Sequence, residues 1–541
     1  MADLIILNAH IRSMDASDGE DYASASAVAV AEGRIIDLGA DEEVRTLAHA
    51  GTTVIDAGSA VLTPGLIDSH MHPIWGAELS DGVNLGGLTE LDDVRRAVAE
   101  AAASLPEGEW IRGWNLDYKA FPDGIDGSLF DGVAGTRPLF LLFYDLHTAV
   151  ANAAALNAAG ITGAEQFSDV SQVVLDNTGH PTGELREMPA YMLLLEAAPP
   201  QRRSVILDRI DSVLREAASS GVTSAAVMDG RDITLELVDA MEKRPRGLPL
   251  RLHIAMWHQP SDGDDLVDHR ISLLGRQGDR YRVAMVKMFI DGVIDSGTAW
   301  LHEPDSDGES RQPFWKSLDR YADVTSAYHA AGFRVATHSC GDAGAAAAMD
   351  VYQTLEHLPD SASRHRVEHL ETLTDRDVHR LAETQTIASM QPLHMQWREN
   401  DHSDPWATRL GRQRTERAFR TRDILDAGGH VCLGSDWPVA DLDARVGMAW
   451  ARLRRKPGRT EAPVFEPSQR LTGIQALLGY TRWAAEALGR SDLGRIVPGA
   501  RADLTLWERD PVTADADTLP EIPVRLTTID GTIIHHTEPG A

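Results

Sequence analysis

The sequence is poor in cysteine and in long apolar runs, and each shortage excludes a class of protein. Two cysteines, Cys340 and Cys432, cannot form the disulfide framework of a small secreted protein, so we expect a cytoplasmic location. No stretch reaches the roughly 18 consecutive apolar residues of a membrane span. The first residues also lack the pattern of a secretory leader, so we expect neither export nor membrane insertion.

Basic side chains are scarce relative to acidic ones. The chain has 51 Lys and Arg against 82 Asp and Glu, a net charge of −31 at pH 7. A field of this sign repels nucleic-acid phosphates and anionic membrane surfaces, so we expect neither as a partner and infer a small-molecule substrate instead. Only five of the basic residues are Lys, which draws attention to any Lys inside an apolar stretch.

The length and the ends of the chain predict one large domain and one small one. With 541 residues, 43% of them hydrophobic, the chain can bury a sizeable core. Short alternating runs separated by turns occupy residues 1–60 and 485–541. They predict a β-sandwich domain built from both termini, although two separate β pieces would have the same pattern.

The region between the ends, residues 61–484, has the sequence pattern of a (β/α)₈ barrel of the TIM type, which is an α/β fold. Strand-like apolar runs alternate there with Ala- and Arg-rich helical segments, and catalytic groups in such barrels lie at the carboxyl ends of the strands. A gap of roughly 150 residues after the first run predicts an insertion subdomain at about 76–200. The eight runs are 60–72, 221–229, 248–257, 282–292, 332–342, 365–371, 386–394 and 429–439.

Side chains that can bind a metal fall at the ends of several runs. His70 and His72 are two residues apart at the end of the first run, so they project from the same side of a strand. His338, His369 and Asp436 end the fifth, sixth and eighth runs. Each alone fits a structural histidine or a turn aspartate, but together on one rim they are typical ligands of a divalent metal. Zinc is the default expectation, and iron, manganese or nickel would fit the same ligands.

Lys287 lies in the otherwise apolar run that forms the fourth predicted strand. A bare ammonium is costly to bury, so this side chain needs a partner or a modification. One alternative is an ion pair with a barrel carboxylate such as Asp291. The other is carboxylation by CO₂, because burial beside cations favours the neutral amine and the resulting carbamate can bridge two metals.

These motifs resemble those of the amidohydrolase superfamily, specifically its amidohydrolase-3 branch of N-substituted formamide deformylase-like proteins, over nearly the whole chain. The resemblance is carried by Pro-Gly-Leu-Ile-Asp-Ser-His-Met-His, Val-Lys-Met-Phe-Ile-Asp-Gly, Thr-His-Ser-Cys-Gly-Asp, Arg-Val-Glu-His and Gly-Ser-Asp-Trp-Pro-Val. It implies a binuclear centre, most simply two Zn²⁺ per chain. One metal would be held by His70, His72 and Asp436, the other by His338 and His369, with carboxylated Lys287 as the bridge.

The resemblance also assigns residues within the insertion. The family has a histidine motif of the form Asp-Gly-His followed by an Asn, and the segment Tyr144-Asp145-Leu146-His147 corresponds to it, with Leu146 in place of the usual glycine. His147 is therefore expected to contact the substrate or the transition state, with a buried structural role as the alternative. Glu187 matches a commonly acidic family position, although a solvated helix start would look the same.

The predicted chemistry is hydrolysis of a non-peptide C–N bond by a metal-activated hydroxide. A divalent metal lowers the pKa of bound water from about 15.7 to roughly 7 and polarises the carbonyl under attack. The superfamily's usual proton carrier is the residue that corresponds to Asp436, which would return the proton to the leaving nitrogen. His147 is the expected donor to the oxyanion, on the strength of the resemblance.

Candidates for substrate contacts lie near the predicted strand ends. Trp437, next to Asp436, is the expected pocket wall, and Trp75 is a second aromatic candidate. Gln391 and His394 follow the seventh run and are placed to contact a polar or anionic group. Arg398 lies beyond them, where a salt bridge on the barrel rim is the simpler role.

Other functions remain compatible with the sequence. The same site would serve deamination, ester or carbamate hydrolysis, or decarboxylation, and the products would distinguish these. A catalytically inactive binding scaffold is a further alternative, but such proteins usually lose metal ligands, and this chain keeps all six candidates. A homodimer is compatible with the sequence, although no residue pattern requires one.

Overall fold

The computed structural model describes residues 1–15, 23–106, 108–355 and 364–537. Its central element is a sheet of eight parallel strands, in which strands follow one another in the order of the chain. One strand lies within each predicted run or overlaps it, so the predicted (β/α)₈ barrel is confirmed. The eight barrel strands are Leu66–Met71, Val222–Gly230, Arg251–His258, Tyr281–Phe289, Arg334–Ser339, Arg366–His369, Ile387–Met390 and His430–Leu433.

The barrel closes where the chain following the eighth strand meets the first strand. The backbone N–H of Asp436 donates to the carbonyl of His70 at 2.7 Å, and that of His72 donates to the carbonyl of Trp437 at 2.8 Å. Inside the barrel, small and apolar side chains such as Ala226, Ala255 and Ala336 pack together. Polar side chains therefore gather at the carboxyl ends of the strands, where the interior opens.

Helices follow the strands and cover the barrel, as the alternation of apolar runs and helical segments in the sequence predicts. The helices between the second strand and the end of the barrel region are Asp232–Glu242, Asp264–Ser272, Leu318–Ala330, Asp342–Thr354, Asp375–Glu383, Pro405–Leu410, Arg412–Thr415, Thr421–Asp426, Ala444–Leu453, Gly473–Gly479 and Arg482–Ala487. No helix of the described residues is both long and apolar enough to cross a membrane.

Two further sheets are built from the ends of the chain. The first contains, in spatial order, Arg34–Gly39, Ala27–Ala31, Leu4–Leu7 and Thr53–Asp56, and the short helix Asp41–Arg45 follows its edge strand. The second contains His10–Ile11, Val61–Pro64, Leu504–Trp507, Val524–Ile529 and Thr532–His536. Strands from both termini thus share one sheet, while the domain limits at residues 60 and 485 stay predictions.

The first predicted run, 60–72, divides between two sheets. Val61–Pro64 pairs with Leu504–Trp507 in the terminal sheet, and Leu66–Met71 begins the barrel. Gly65 joins them at a place with no room for a side chain, because a Cβ there would lie 2.2 Å from Cγ2 of Thr223. The absence of a side chain lets one continuous apolar run serve both sheets.

The segment between the first and second barrel strands forms a six-stranded sheet of its own. Its strands, in spatial order, are Gln172–Leu175, Pro181–Arg186, Thr148–Ala151, Leu139–Phe143, Ile111–Leu116 and Val83–Asn84. The helices of this stretch are Trp75–Leu79, Leu91–Ser104, Asp131–Ala134, Ala153–Ala159, Met188–Ala197 and Arg203–Ser219. Two side chains from this sheet's ends, His147 and Glu187, reach the barrel mouth, while the limits 76–200 stay a prediction.

Candidate active site

Three side chains from three strand ends converge at the barrel mouth. His70, His369 and Asp436 each offer a ligand atom, and these atoms lie within 4.8 Å of one another. All three residues are buried. This trio combines one histidine from each of the two metal sets implied by the resemblance, so the division into those sets stays a prediction.

Asp436 is the centre of a ring of imidazoles. Its Oδ1 lies 3.3 Å from Nε2 of His70 and 3.1 Å from Nε2 of His72. Its Oδ2 lies 3.3 Å from Nε2 of His394 and 3.7 Å from Nδ1 of His369. Burial alone would raise the pKa of the Asp436 carboxyl, but the surrounding imidazoles hold it well below its usual range.

The unpaired atoms of this ring fit a divalent metal. Nε2 of His70, both ring nitrogens of His369 and Oδ1 of Asp436 are buried and lack a hydrogen-bond partner in the described structure. Burial keeps the pKa of His70 and of His369 below the ordinary histidine value, so these rings are neutral and carry lone pairs. Neutral imidazole and carboxylate are the ligands that Zn²⁺ and related cations prefer.

His338 lies beside this trio. Its ring centroid is 4.4 Å from that of His369, and its Nε2 lies 3.1 Å from the carbonyl of Gly292. A hydrogen bond from Nε2 to that carbonyl leaves Nδ1 as the nitrogen able to bind a metal.

Lys287 is buried at the same end of the barrel. Burial lowers the pKa of its amine to about 8, so a larger share of it is neutral than for an exposed lysine. The alternative of an ion pair with Asp291 is wrong, because the described residues contain no salt bridge to Lys287. The Asp291 carboxyl instead accepts the backbone N–H groups of Trp300, Cys340 and Gly341. A neutral amine facing the cavity is the form that reacts with CO₂, and carboxylation stays a prediction.

A buried chain of charged groups orients His70. Nδ1 of His70 lies 2.6 Å from Oε2 of Glu368, and the guanidinium of Arg366 donates to both Glu368 oxygens at 2.5 and 2.9 Å. Arg366 lowers the pKa of the Glu368 carboxyl against the opposing effect of burial. Glu368 therefore stays ionised and fixes the tautomer that aims Nε2 of His70 at Asp436.

Several residues of the site have backbone conformations that favour glycine. The φ angles are 72° at His369, 59° at Asp436, 61° at Leu146 and 68° at Glu187. Such conformations cost side-chain-bearing residues about 1–3 kcal/mol each and cluster at functional sites. The value at Leu146 also shows why a glycine suits this position in the family that the sequence resembles.

His147 and Glu187 form an ion pair at the barrel mouth. Nδ1 of His147 lies 2.7 Å from Oε2 of Glu187, which is almost completely buried. Burial alone would lower the pKa of His147, but the charge and hydrogen bond of Glu187 raise it to about 9. The ring is thus an imidazolium, and its Nε2 remains to donate a hydrogen bond into the cavity. The solvated helix start considered for Glu187 is wrong, because its side chain is buried against His147.

Two adjoining cavities open from these residues. His147, His338, His369 and Asp436 line both cavities. Of the expected substrate contacts, His394 lines the first cavity and Trp75 the second.

Trp437 and Gln391 do not line either of these two cavities. The positive φ of Asp436 turns the chain, and the Trp437 ring lies so close to Gly76 that a Cβ there would be 2.8 Å from Cζ3. The role of Trp437 as a pocket wall therefore stays a prediction. The Gln391 amide contacts the carbonyl of Ser389 at 3.4 Å instead.

The structure adds residues that sequence reasoning missed. Asp295 and Glu371 line the first cavity, and Glu368 supports His70. Glu368 had a visible signal, since Arg366 and Glu368 are charged residues two apart in a short buried strand, so their side chains share one face. No sequence signal pointed to Asp295, because it lies in the irregular segment after the fourth strand.

Comparisons with known proteins agree with this geometry. The model of a family described as "Amidohydrolase family" matches residues 53–535. The chain is 28% identical over 529 residues to the putative amidohydrolase YtcJ of Bacillus subtilis (strain 168), covering 95% of this chain and 97% of that protein. It is 28% identical over 553 aligned positions to N-substituted formamide deformylase of Arthrobacter pascens, with 98% of each covered.

The fold is also found among solved structures. An uncharacterized metal-dependent hydrolase from Pyrococcus horikoshii OT3 superposes with a TM-score of 0.73 at 21% identity. The superposition covers 95% of this chain and 99% of that one, so the two chains share an overall fold.

Proposed function

This chain belongs to the amidohydrolase family, and from that premise we propose that it is a metal-dependent hydrolase that cleaves a non-peptide C–N bond of a small molecule. The observation that carries the proposal is the convergence of unpaired ligand atoms from His70, His369 and Asp436 at the barrel mouth, where His369 and Asp436 line two adjoining cavities. The N-substituted formamide deformylase of A. pascens is a relative over the full length, which favours amide substrates.

The ligands of the metal would come from the strand ends. His70, His369 and Asp436, supported by the proximity of their ligand atoms, would hold it together with His72 and His338, and carboxylated Lys287 would complete a site for two ions. Zinc fits this donor set best. A bound divalent metal supplies Lewis acidity, which activates water and polarises a carbonyl at neutral pH.

Asp436 is placed to move the proton. Its carboxylate lies within 3.3 Å of His70, His72 and His394, and its low pKa keeps it ionised; it would accept a proton from water that a bound metal acidifies. As the C–N bond breaks, the same carboxyl returns that proton to the leaving nitrogen.

His147 is placed to stabilise the oxygen of the scissile carbonyl. Glu187 holds the ring as an imidazolium, and Nε2 can donate to the charge that develops on this oxygen. The indole of Trp75 and the ring of Phe289 line the second cavity together with His147, and these apolar rings would exclude water from it.

Product analysis tests the proposal. Metal-loaded protein is incubated with N-formyl and N-acetyl derivatives of benzylamine and 2-phenylethylamine, and the amine and the carboxylate are quantified by mass spectrometry. We expect equimolar amine and carboxylate, and a loss of at least 100-fold in kcat for Asp436→Asn.

Asp443→Asn is the matched control. Asp443 caps a helix that follows the eighth strand and does not line either cavity, so this variant should keep the activity. Metal-loaded protein that releases no amine from any member of a broad panel of amides, carbamates and lactams would contradict the proposed C–N hydrolysis. Ammonia or CO₂ as the product would replace it with deamination or decarboxylation.

A further inference from the structure

We propose that Arg398 binds a carboxylate of the substrate, so that the natural substrate is an amide with an anionic end. The inference rests on the proposed function, because it assigns the substrate class of that same cavity. Arg398 lines the first cavity together with His369 and Asp436, but it takes no part in the ring of metal-binding side chains.

The guanidinium of Arg398 is buried with its donors unused. Its side chain is 2% exposed, and Nε, Nη1 and Nη2 all lack a hydrogen-bond partner among the described residues. A guanidinium has five N–H donors, and each buried donor without an acceptor costs about 1–3 kcal/mol. A buried guanidinium of this kind destabilises the folded protein unless a bound ligand supplies the hydrogen-bond acceptors.

The nearest carboxylate does not supply them. Oδ1 of Asp404 is 3.9 Å from Nε of Arg398, so the salt bridge expected from the sequence is present, but it is a charge contact without a hydrogen bond. The two oxygens of Asp404 accept the backbone N–H groups of Ala407 and Glu399, each at 2.9 Å. Asp404 is therefore already used by the backbone of its own loop.

Two other neighbouring carboxylates are also engaged elsewhere. Glu371 accepts the indole N–H of Trp406 at 2.7 Å and lies 3.4 Å from Nδ1 of His394. Glu466 pairs with Arg454 at 3.2 Å. These charges reduce the electrostatic cost of burying Arg398, but they leave its hydrogen-bond donors free.

Aromatic rings cover the guanidinium and line the space beside it. Its central carbon lies 4.1 Å from the ring centroid of Trp406 and 5.2 Å from that of Phe465. Tyr144 and Trp397 stack at 4.3 Å in the same cavity. The N–H groups of this covered guanidinium have no hydrogen-bond acceptor among the described residues, and a carboxylate would supply one through two parallel hydrogen bonds.

The side chains that line the cavity between Arg398 and the proposed metal ligands determine which substrate shapes fit. His394 stacks on His369 at 5.7 Å and lies 5.5 Å from Trp397, while Glu371 links His394 to Trp406. A ligand that reaches from Asp436 to Arg398 therefore passes along an aromatic wall. An apolar or aromatic body between the scissile amide and the carboxylate fits this wall.

Binding of matched probe pairs tests the inference without turnover. We would measure the affinity of metal-loaded protein for 3-phenylpropionate, 4-phenylbutyrate and 6-phenylhexanoate, and for the three corresponding alcohols, by calorimetry. At least one carboxylate should bind tenfold or more tightly than its alcohol. Arg398→Gln should abolish that preference, and Arg398→Lys should weaken it, because an ammonium cannot form the bidentate pair.

Acetohydroxamate, which chelates metals, is the control ligand. Its affinity and the metal content should be the same in wild type and Arg398→Gln, which shows that the variant is folded and that the lost preference is not an effect at the metal. Equal binding of carboxylate and alcohol by the wild type, or no binding of either, would overturn the inference, and so would a preference that survives in Arg398→Gln. None of these outcomes depends on amide cleavage, so the failure of this inference and that of the proposed function are distinguishable.

Discussion

At the scale of the residue, the ion pair of His147 and Glu187 shows how the site tunes a side chain. Glu187 is almost completely buried, its Oε1 has no hydrogen-bond partner among the described residues, and its Oε2 lies 2.7 Å from Nδ1 of His147. The backbone of Glu187 has a φ of 68°, which sets its carboxylate beneath the ring. The carboxylate thus holds the His147 ring in its protonated form.

Glu187→Gln should make the stability of the protein less dependent on pH. Glu187 raises the pKa of His147 from 6.5 to about 9, so the ion pair stabilises the folded state fully below pH 6.5 and loses this effect as the pH rises through 9. The melting temperature of the variant should be lower than that of wild type at pH 6, and the difference should shrink above pH 9. A difference that is constant from pH 6 to pH 10 would contradict the ion pair. Glu383→Gln, on an exposed helix position, is the control.

At the scale of the element, the loop after the first barrel strand is held by one carboxylate. Oδ2 of Asp229, at the end of the second strand, accepts the backbone N–H groups of Ile74 and Trp75 at 3.0 and 2.6 Å. These two donors begin the short helix Trp75–Leu79, directly after His72. The second strand thereby positions the end of the first strand, where His70 and His72 lie.

Asp229→Ala should loosen this loop, whereas Asp229→Asn should preserve it. Alanine leaves two buried N–H groups without an acceptor, at a cost of about 1–3 kcal/mol each, while the amide oxygen of asparagine can still accept both. Differential scanning calorimetry should show a lower melting temperature for the alanine variant alone. Equal loss in both variants would mean that the charge of Asp229 matters, not its hydrogen bonds.

Much of the barrel could be predicted from the sequence, because its signals are local. Each strand is a short apolar run, and His70, His338, His369 and Asp436 stand where such runs end. What could not be predicted depends on the backbone between elements. Trp437 follows the positive φ of 59° at Asp436, and Arg398 lacks a hydrogen bond to Asp404 because 3.9 Å separates Nε from the nearest carboxylate oxygen.

At the scale of the whole molecule, a buried ion pair joins the barrel to the terminal sheet. Arg251 begins the third barrel strand and donates to Asp503 at 3.1 and 3.2 Å and to Asp530 at 2.8 Å. Asp503 and Asp530 flank strands of the terminal sheet, Leu504–Trp507 and Val524–Ile529. This contact lies at the opposite end of the strands from the metal ligands.

Arg251→Met should therefore lower stability without changing metal content. Removing one partner from a buried ion pair costs about 3–5 kcal/mol, because the remaining carboxylate stays buried without its counter-charge. The half-buried Arg244, which pairs with the exposed Asp208, is the control, and Arg244→Met should cost less than about 1 kcal/mol. Thermal unfolding with parallel metal analysis checks both. A loss of metal in Arg251→Met would show that the two ends of the barrel are coupled.

The metal content of the purified protein tests the central claim most directly. Plasma emission spectroscopy on protein prepared in bicarbonate buffer would be run for wild type and Lys287→Ala side by side. We predict two divalent metals per wild-type chain and a sharp drop in the variant, because the bridging carbamate would be lost. A wild-type protein that retains no metal, even after incubation with Zn²⁺, would contradict the account of a metal-dependent hydrolase.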